Sequence, residues 1–149
     1  MRGRRIFWLA VLLLYVCFIY GNSLTPASVS SQESGFVLAF SRNVLEGLGL
    51  ESMWLTEHIV RKTAHFLEYA GLGILLAFNF RPWAGAFAGR LRGALEAALV
   101  IPFVDVTIQL FVEGRSGQVS DVWLDLAGAL CGLFGAVLVH RLFAGRNKN

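Results

Sequence analysis

The sequence predicts an all-α membrane protein, with four transmembrane helices and a short interfacial helix between the first and the second. Three observations carry that expectation. Of 149 residues, 56% are hydrophobic and only 15% charged, against about 25% charged in soluble proteins. A single domain of this size accommodates so much apolar surface more readily as a helical membrane bundle than in water. The apolar residues gather into four runs, each covering about 27 Å or more as a helix at about 1.5 Å per residue, close to one hydrocarbon core. Lysine and arginine concentrate in the segments that such a bundle places on one side.

Met1 to Arg5 is basic and leads into the apolar run Ile6 to Tyr20. A cleaved signal peptide competes with a retained helix here, and Thr25-Pro26-Ala27 would make a poor small-residue cleavage site. No charge follows until Glu33, so the helix can run on through Leu24, and a retained first span over residues 6–24 is the favoured reading. Pro26 to Ser34 reads as a polar, Ser-rich turn. Within residues 33–48, Phe36, Val37, Phe40, Val44, Leu45 and Leu48 recur at helical spacing, with Ser41, Arg42, Asn43 and Glu46 on the other side. This helix is too short and too polar to span; it suits either the membrane interface or a soluble cap on the bundle.

The second span covers residues 63–80. A loop containing Pro82 and several glycines, bracketed by Arg81, Arg90 and Arg92, leads to the third span, residues 93–112. Pro102 removes one backbone hydrogen bond from that span and should kink it. Glu113 to Gln118 is a tight polar turn, and the fourth span covers residues 122–143. All four spans belong to one domain, residues 6–143. Cys17 and Cys131 sit inside apolar runs, where a buried cysteine acts as a small hydrophobe, and neither has a metal-ligand spacing.

Four spans put both termini on one side. Arg2, Arg4, Arg5, Arg81, Arg90, Arg92, Arg141, Arg146 and Lys148 fall there, nine of the 13 basic residues. Arg42, Arg61, Lys62 and Arg115 fall opposite. Both termini are therefore expected in the cytoplasm. Trp8 and Trp83 mark the inner boundary, and Trp54 and Trp123 the outer one. No basic patch is interleaved with aromatics, so nucleic acid is not an expected partner.

The second span enters the bilayer carrying charge. Arg61, His65 and Glu68 fall within about 60° on one helical face. Charged groups in such a helix normally face other helices or water. In the four-span arrangement they share an outer layer with Lys62, Asp105, Gln109 and Arg115, and with Asp121 and Asp125 at the top of the fourth helix. On that helix Asp121, Asp125, Gly128, Gly132 and Gly135 fall within about 80° of arc, so the carboxylates share a face with a small-residue packing seam. Three fixed cations (Arg61, Lys62, Arg115) against Glu68, Asp105, Asp121 and Asp125 leave the cluster near balance, which makes its burial tolerable.

Taken in order, Arg61-Lys62-Thr63-Ala64-His65-Phe66-Leu67-Glu68-Tyr69, Asp105 and Gln109, Gly114-Arg115, then Asp121 and Asp125 with Gly128 and Gly132 resemble the VanZ-like family. The resemblance covers roughly Ser23 to Val139. It implies a small four-helix bacterial cell-membrane protein, from a family whose founding member is associated with low-level resistance to the glycopeptide teicoplanin. It implies fold and compartment more directly than mechanism.

The candidate ligand-binding set is Arg61, Lys62, His65, Glu68, Tyr69, Asp105, Gln109, Arg115, Asp121 and Asp125, with His65, Asp105 and Asp125 as catalytic candidates. His65 could transfer protons or serve as a hydrogen-bonded spacer. Arg61 and Lys62 could grip a phosphate, or neutralise Asp105, Asp121 or Asp125, or meet lipid head groups. Glu68 and Asp125, the deepest carboxylates in this reading, are expected to pair internally. Glu96 reads as an interfacial residue near Arg90 and Arg92, and His140 as ordinary. His65-x-x-Glu68 offers two metal ligands on one face, but a single outer-layer histidine beside two cations argues against a divalent cation. No cofactor is expected. Ser116 and Ser120 are hydroxyls of the outer turn, with nothing to place His65 beside them.

Three functions fit. The leading one is a non-enzymatic cell-envelope protein that binds an anionic or lipid-linked head group, its partner being a membrane lipid or a lipid-linked envelope precursor. The second is a membrane enzyme acting on a lipid-phosphate or glycolipid with His65 as acid or base. The third is a structural or assembly protein whose polar cluster only fixes helix packing.

Overall fold

Thr56 starts the helix around which the others pack. Its hydroxyl oxygen accepts from the Ile59 amide at 3.3 Å, and Glu57 places a negative charge in the first turn, two features that stabilise a helix start. In the computed structural model, which describes residues 2–81, 83–115 and 117–146, this helix is one of five, and no strand occurs among the described residues. In chain order they are α1 (Arg2–Ser23), α2 (Ala27–Gly47), α3 (Glu57–Phe80), α4 (Phe87–Gln109) and α5 (Val119–Arg146). Pro82, Ser116 and Lys148 lie outside the described residues.

Every helix is longer at its start than the apolar run that announces it. α3 opens at Glu57 and α4 at Phe87, ahead of the predicted residues 63 and 93. Hydropathy marks where a chain turns apolar, whereas capping marks where its backbone turns helical. The largest correction is α2. Pro26 to Ser34 is helical from Ala27 onward and forms no turn. Pro26 lies just before it at φ −56°, a pre-set angle that suits a helix entry, and the Ser34 hydroxyl donates to the Ser30 carbonyl at 2.9 Å. Ser34 is thereby absorbed into the helix by bonding its own backbone.

Two helices, α1 and α5, are long and apolar enough to cross a membrane. α3, with Glu57, Arg61, Lys62 and Glu68, and α4, with Arg90, Arg92, Glu96 and Asp105, are more polar and are not among them. α4 continues unbroken through the buried Pro102.

α3 and α5 share the most extensive contact; α1 packs on α3 and α4, and α4 packs on α3 and α5. Leu12, Ile19, Tyr69, Leu72, Leu76, Ala94, Ala98, Ala129 and Leu133 form the core of this four-helix arrangement. Glycine allows the central contact. A Cβ on Gly128 would meet the Phe66 carbonyl, one on Gly132 the Ala70 carbonyl, and one on Gly73 the Ala129 carbonyl. Gly135, expected in the same seam, faces open space. Cys17 and Cys131 are exposed on the outer faces of α1 and α5 and are not buried as expected.

α2 stands apart from this core and touches only α3. It buries no residue, and Phe36, Phe40 and Leu48 are 76%, 64% and 70% exposed. Those side chains point away from the bundle, and on a membrane surface this face would meet lipid.

The two ends of the bundle differ in chemistry. At one end Arg2, Arg4, Arg5, Arg81 and Arg90 surround a common cavity. Beside it Trp8 stacks on Phe78 at 4.8 Å and Trp83 on His140 at 4.3 Å. Arg92 and Glu96 form an exposed pair there at 2.7 Å. The opposite end, where α1 and α4 finish and α3 and α5 begin, holds the polar cluster.

Candidate functional site

α3 presents Arg61, Lys62 and His65 on adjoining turns toward the start of α5. Lys62 Nζ meets Asp121 Oδ1 at 2.8 Å. One turn deeper, His65 Nδ1 stands 3.7 Å from Asp125 Oδ1, outside hydrogen-bond range. Asp105 and Asp125 are wholly buried. Gln109, one turn beyond Asp105 on α4, donates to Asp105 Oδ2 at 3.0 Å and to the buried Ser23 hydroxyl at 3.1 Å. The Tyr69 hydroxyl, buried beneath, faces Asp105 without meeting hydrogen-bond geometry.

Glu68 turns toward α1 and away from α5. Its Oε1 accepts from Asn22 Nδ2 at 2.9 Å, and its backbone carbonyl accepts from the Tyr15 hydroxyl at 2.9 Å. The deep pair of carboxylates is thus Asp105 and Asp125, with Asp105 where the sequence reading put Glu68. The turn between α4 and α5 is shaped by Gly114 at φ +74°, a region glycine enters without steric cost. That turn delivers Arg115 to the end of α1, where it donates to the carbonyls of Thr25 at 2.8 Å and Asn22 at 2.9 Å. Burial pushes the Arg115 guanidinium below its ordinary pKa, opposed by nearby Asp105, and it stays a cation at neutral pH.

Seven of the ten predicted residues, Arg61, Lys62, His65, Gln109, Arg115, Asp121 and Asp125, line one cavity of about 180 Å³. Glu68 lines a second, about 470 Å³, between α2 and α3. Asp105 and Tyr69 lie buried among the same helices. Arg61, His65, Arg115 and Ser30 border both cavities. None of the three ion pairs among the described residues involves Arg61. The Ser120 hydroxyl lies 3.2 Å from the Gln118 side-chain oxygen and 3.4 Å from Asp121 Oδ1, either of which can accept its one proton, and so is turned to its own loop.

Asn22, Ser23 and His58 belong to the site and were not anticipated. Asn22 and Ser23 end an otherwise apolar run, as polar residues commonly do at a membrane boundary, so nothing local marks them. Their role appears only when α1 is packed against α3 and α4.

This combination defines a class, a small helical membrane protein with a polar cavity at one end of its bundle. The chain belongs to the VanZ/LLP1 family, whose family model matches residues 7–140, in agreement with the ordered polar motifs. No curated protein and no solved structure matched the chain.

Proposed function

We propose that this protein is a bacterial cell-envelope membrane protein that binds the anionic head group of a membrane lipid or lipid-linked envelope precursor. In this reading α1, α3, α4 and α5 all cross the membrane, both termini lie in the cytoplasm, and the polar cavity opens to the outer leaflet. The observation that carries it is Arg61. This guanidinium borders both cavities and joins no ion pair among the described residues, and arginine's fork suits phosphate and carboxylate. The larger cavity beside it, roofed by α2, has room for the first part of an attached chain. Sequestering or presenting an envelope lipid at this position would also give such a protein a route to altered glycopeptide susceptibility.

Purified protein should bind vesicles of anionic phospholipid, or a polyprenyl phosphate, over zwitterionic vesicles, and Arg61→Ala should weaken that preference at least about tenfold. Arg115→Ala is the poorer test, because its guanidinium also closes the turn onto α1. Equal binding by wild type and Arg61→Ala to all of these lipids would overturn the proposal.

The 3.7 Å approach of His65 to buried Asp125 favours a second reading, proton transfer during turnover of a lipid-phosphate or glycolipid. That reading requires turnover that disappears in His65→Gln.

A further inference from the structure

We infer that His65, Asp105 and Asp125 hold a divalent transition-metal ion between α3, α4 and α5. The inference goes beyond head-group binding and does not depend on it. One donor atom from each of the three lies within 4.8 Å of the other two. Some point therefore lies within about 2.8 Å of all three atoms, against about 2.0–2.2 Å in a formed site, so small side-chain rotations close the difference.

The second observation is independent of this spacing. Asp105 Oδ1, both oxygens of Asp125 and His65 Nδ1 are buried with no hydrogen-bond partner among the described residues. Asp105 and Asp125 are themselves 0% exposed. Buried polar atoms are nearly always satisfied; the Tyr69 hydroxyl, also without a partner, faces Asp105, and donor atoms of His65, Asp105 and Asp125 lie close enough together to share one ion. A divalent ion balances the two carboxylates and leaves the imidazole neutral.

The cations nearby do not take this role. Lys62 is engaged by Asp121, and Arg115 by the backbone carbonyls of Thr25 and Asn22. The sequence-level objection to a metal rests on Arg61 and Lys62 beside His65; Asp121 takes Lys62, while Arg61 lines the same cavity as His65 and Asp125 without an ion pair among the described residues. Gln109 supplies the outer support, holding Asp105 Oδ2 at 3.0 Å while Oδ1 stays available, the way an outer hydrogen bond orients a metal ligand. His65 and Asp125 also line the 180 Å³ cavity, which gives an ion an entry and space for water ligands. One imidazole with two carboxylates suits Zn²⁺ or Mn²⁺.

Tag-free protein in detergent, stripped with a chelator, is dialysed against Zn²⁺ or Mn²⁺ and its bound metal counted by mass spectrometry. One ion per chain is expected, with affinity lowered by at least about tenfold in Asp125→Asn and His65→Gln. Equal loading of wild type and an Asp105→Asn/Asp125→Asn variant would overturn the site, as would loading of neither. Co²⁺ gives a reading that needs no variant. Visible ligand-field bands at one equivalent in wild type support inner-sphere binding, and a spectrum identical to Co²⁺ in buffer overturns it.

Discussion

Lys62 and Asp121 sit 2.8 Å apart with side chains 33% and 28% exposed, and that exposure limits what the pair contributes. A partly hydrated ion pair is worth about 0–1 kcal/mol. Gln109 is different, because its amide bridges two buried groups, Asp105 and Ser23. Removing it leaves both without that donor, at about 1–3 kcal/mol. A Lys62→Ala/Asp121→Ala double-mutant cycle should therefore give a coupling below about 1 kcal/mol, while Gln109→Leu costs more than either single change. Unfolding in detergent measures both, and a Gln109→Leu variant as stable as wild type would remove the bridge from the account. At this scale the sequence was informative about types and not about partners. Asp105 and Gln109 are one turn apart and legible as a pair. Ser23, more than eighty residues away in sequence, is brought to them only by packing.

At the scale of elements, apolar runs and hydrophobic periodicity located all five helices, and capping chemistry decided where they start. Thr56 and Pro26 are capping or entry residues with ordinary sequence contexts, so a hydropathy boundary overshoots them. The α3–α5 seam shows how far spacing reaches. Gly128 and Gly132 lie on the contact, whereas Gly135, within the same nominal arc, faces open space, because the line of closest approach is narrower than about 80°. Gly73, the answering small residue on α3, had no pattern to reveal it. The seam predicts an asymmetry. Gly132→Ala would drive a methyl group into the Ala70 backbone carbonyl, which cannot swing aside as a side chain can, and should cost about 1–3 kcal/mol or more. Gly135→Ala meets nothing and should be neutral or stabilising by up to about 1 kcal/mol through helix propensity. Thermal unfolding of the two variants checks this, and equal losses would mean the helices do not approach as described.

The whole molecule poses the question of how many helices cross. α1 and α5 suffice by length and composition; α3 is made polar by the residues of the site, and α4 by Arg90, Arg92 and Glu96 at the opposite end together with Asp105. A span that carries a cavity would look less like a span, so composition alone would undercount a four-span bundle, and the distribution of arginine is the better guide. The basic cavity of Arg2, Arg4, Arg5, Arg81 and Arg90 brings the start of α1 together with the α3–α4 connection at one end. The polar cavity occupies the other. Single cysteines placed in a Cys17→Ser/Cys131→Ser background separate the topologies. With four crossings, a membrane-impermeant maleimide on intact cells labels Glu51→Cys, between α2 and α3, and spares Ala84→Cys, between α3 and α4, until the cells are permeabilised. With only α1 and α5 crossing, both positions lie on the same side and label together. Labelling of Ala84→Cys alone would invert the bundle, put the arginine-rich end outside, and move the polar cavity to the cytoplasmic leaflet.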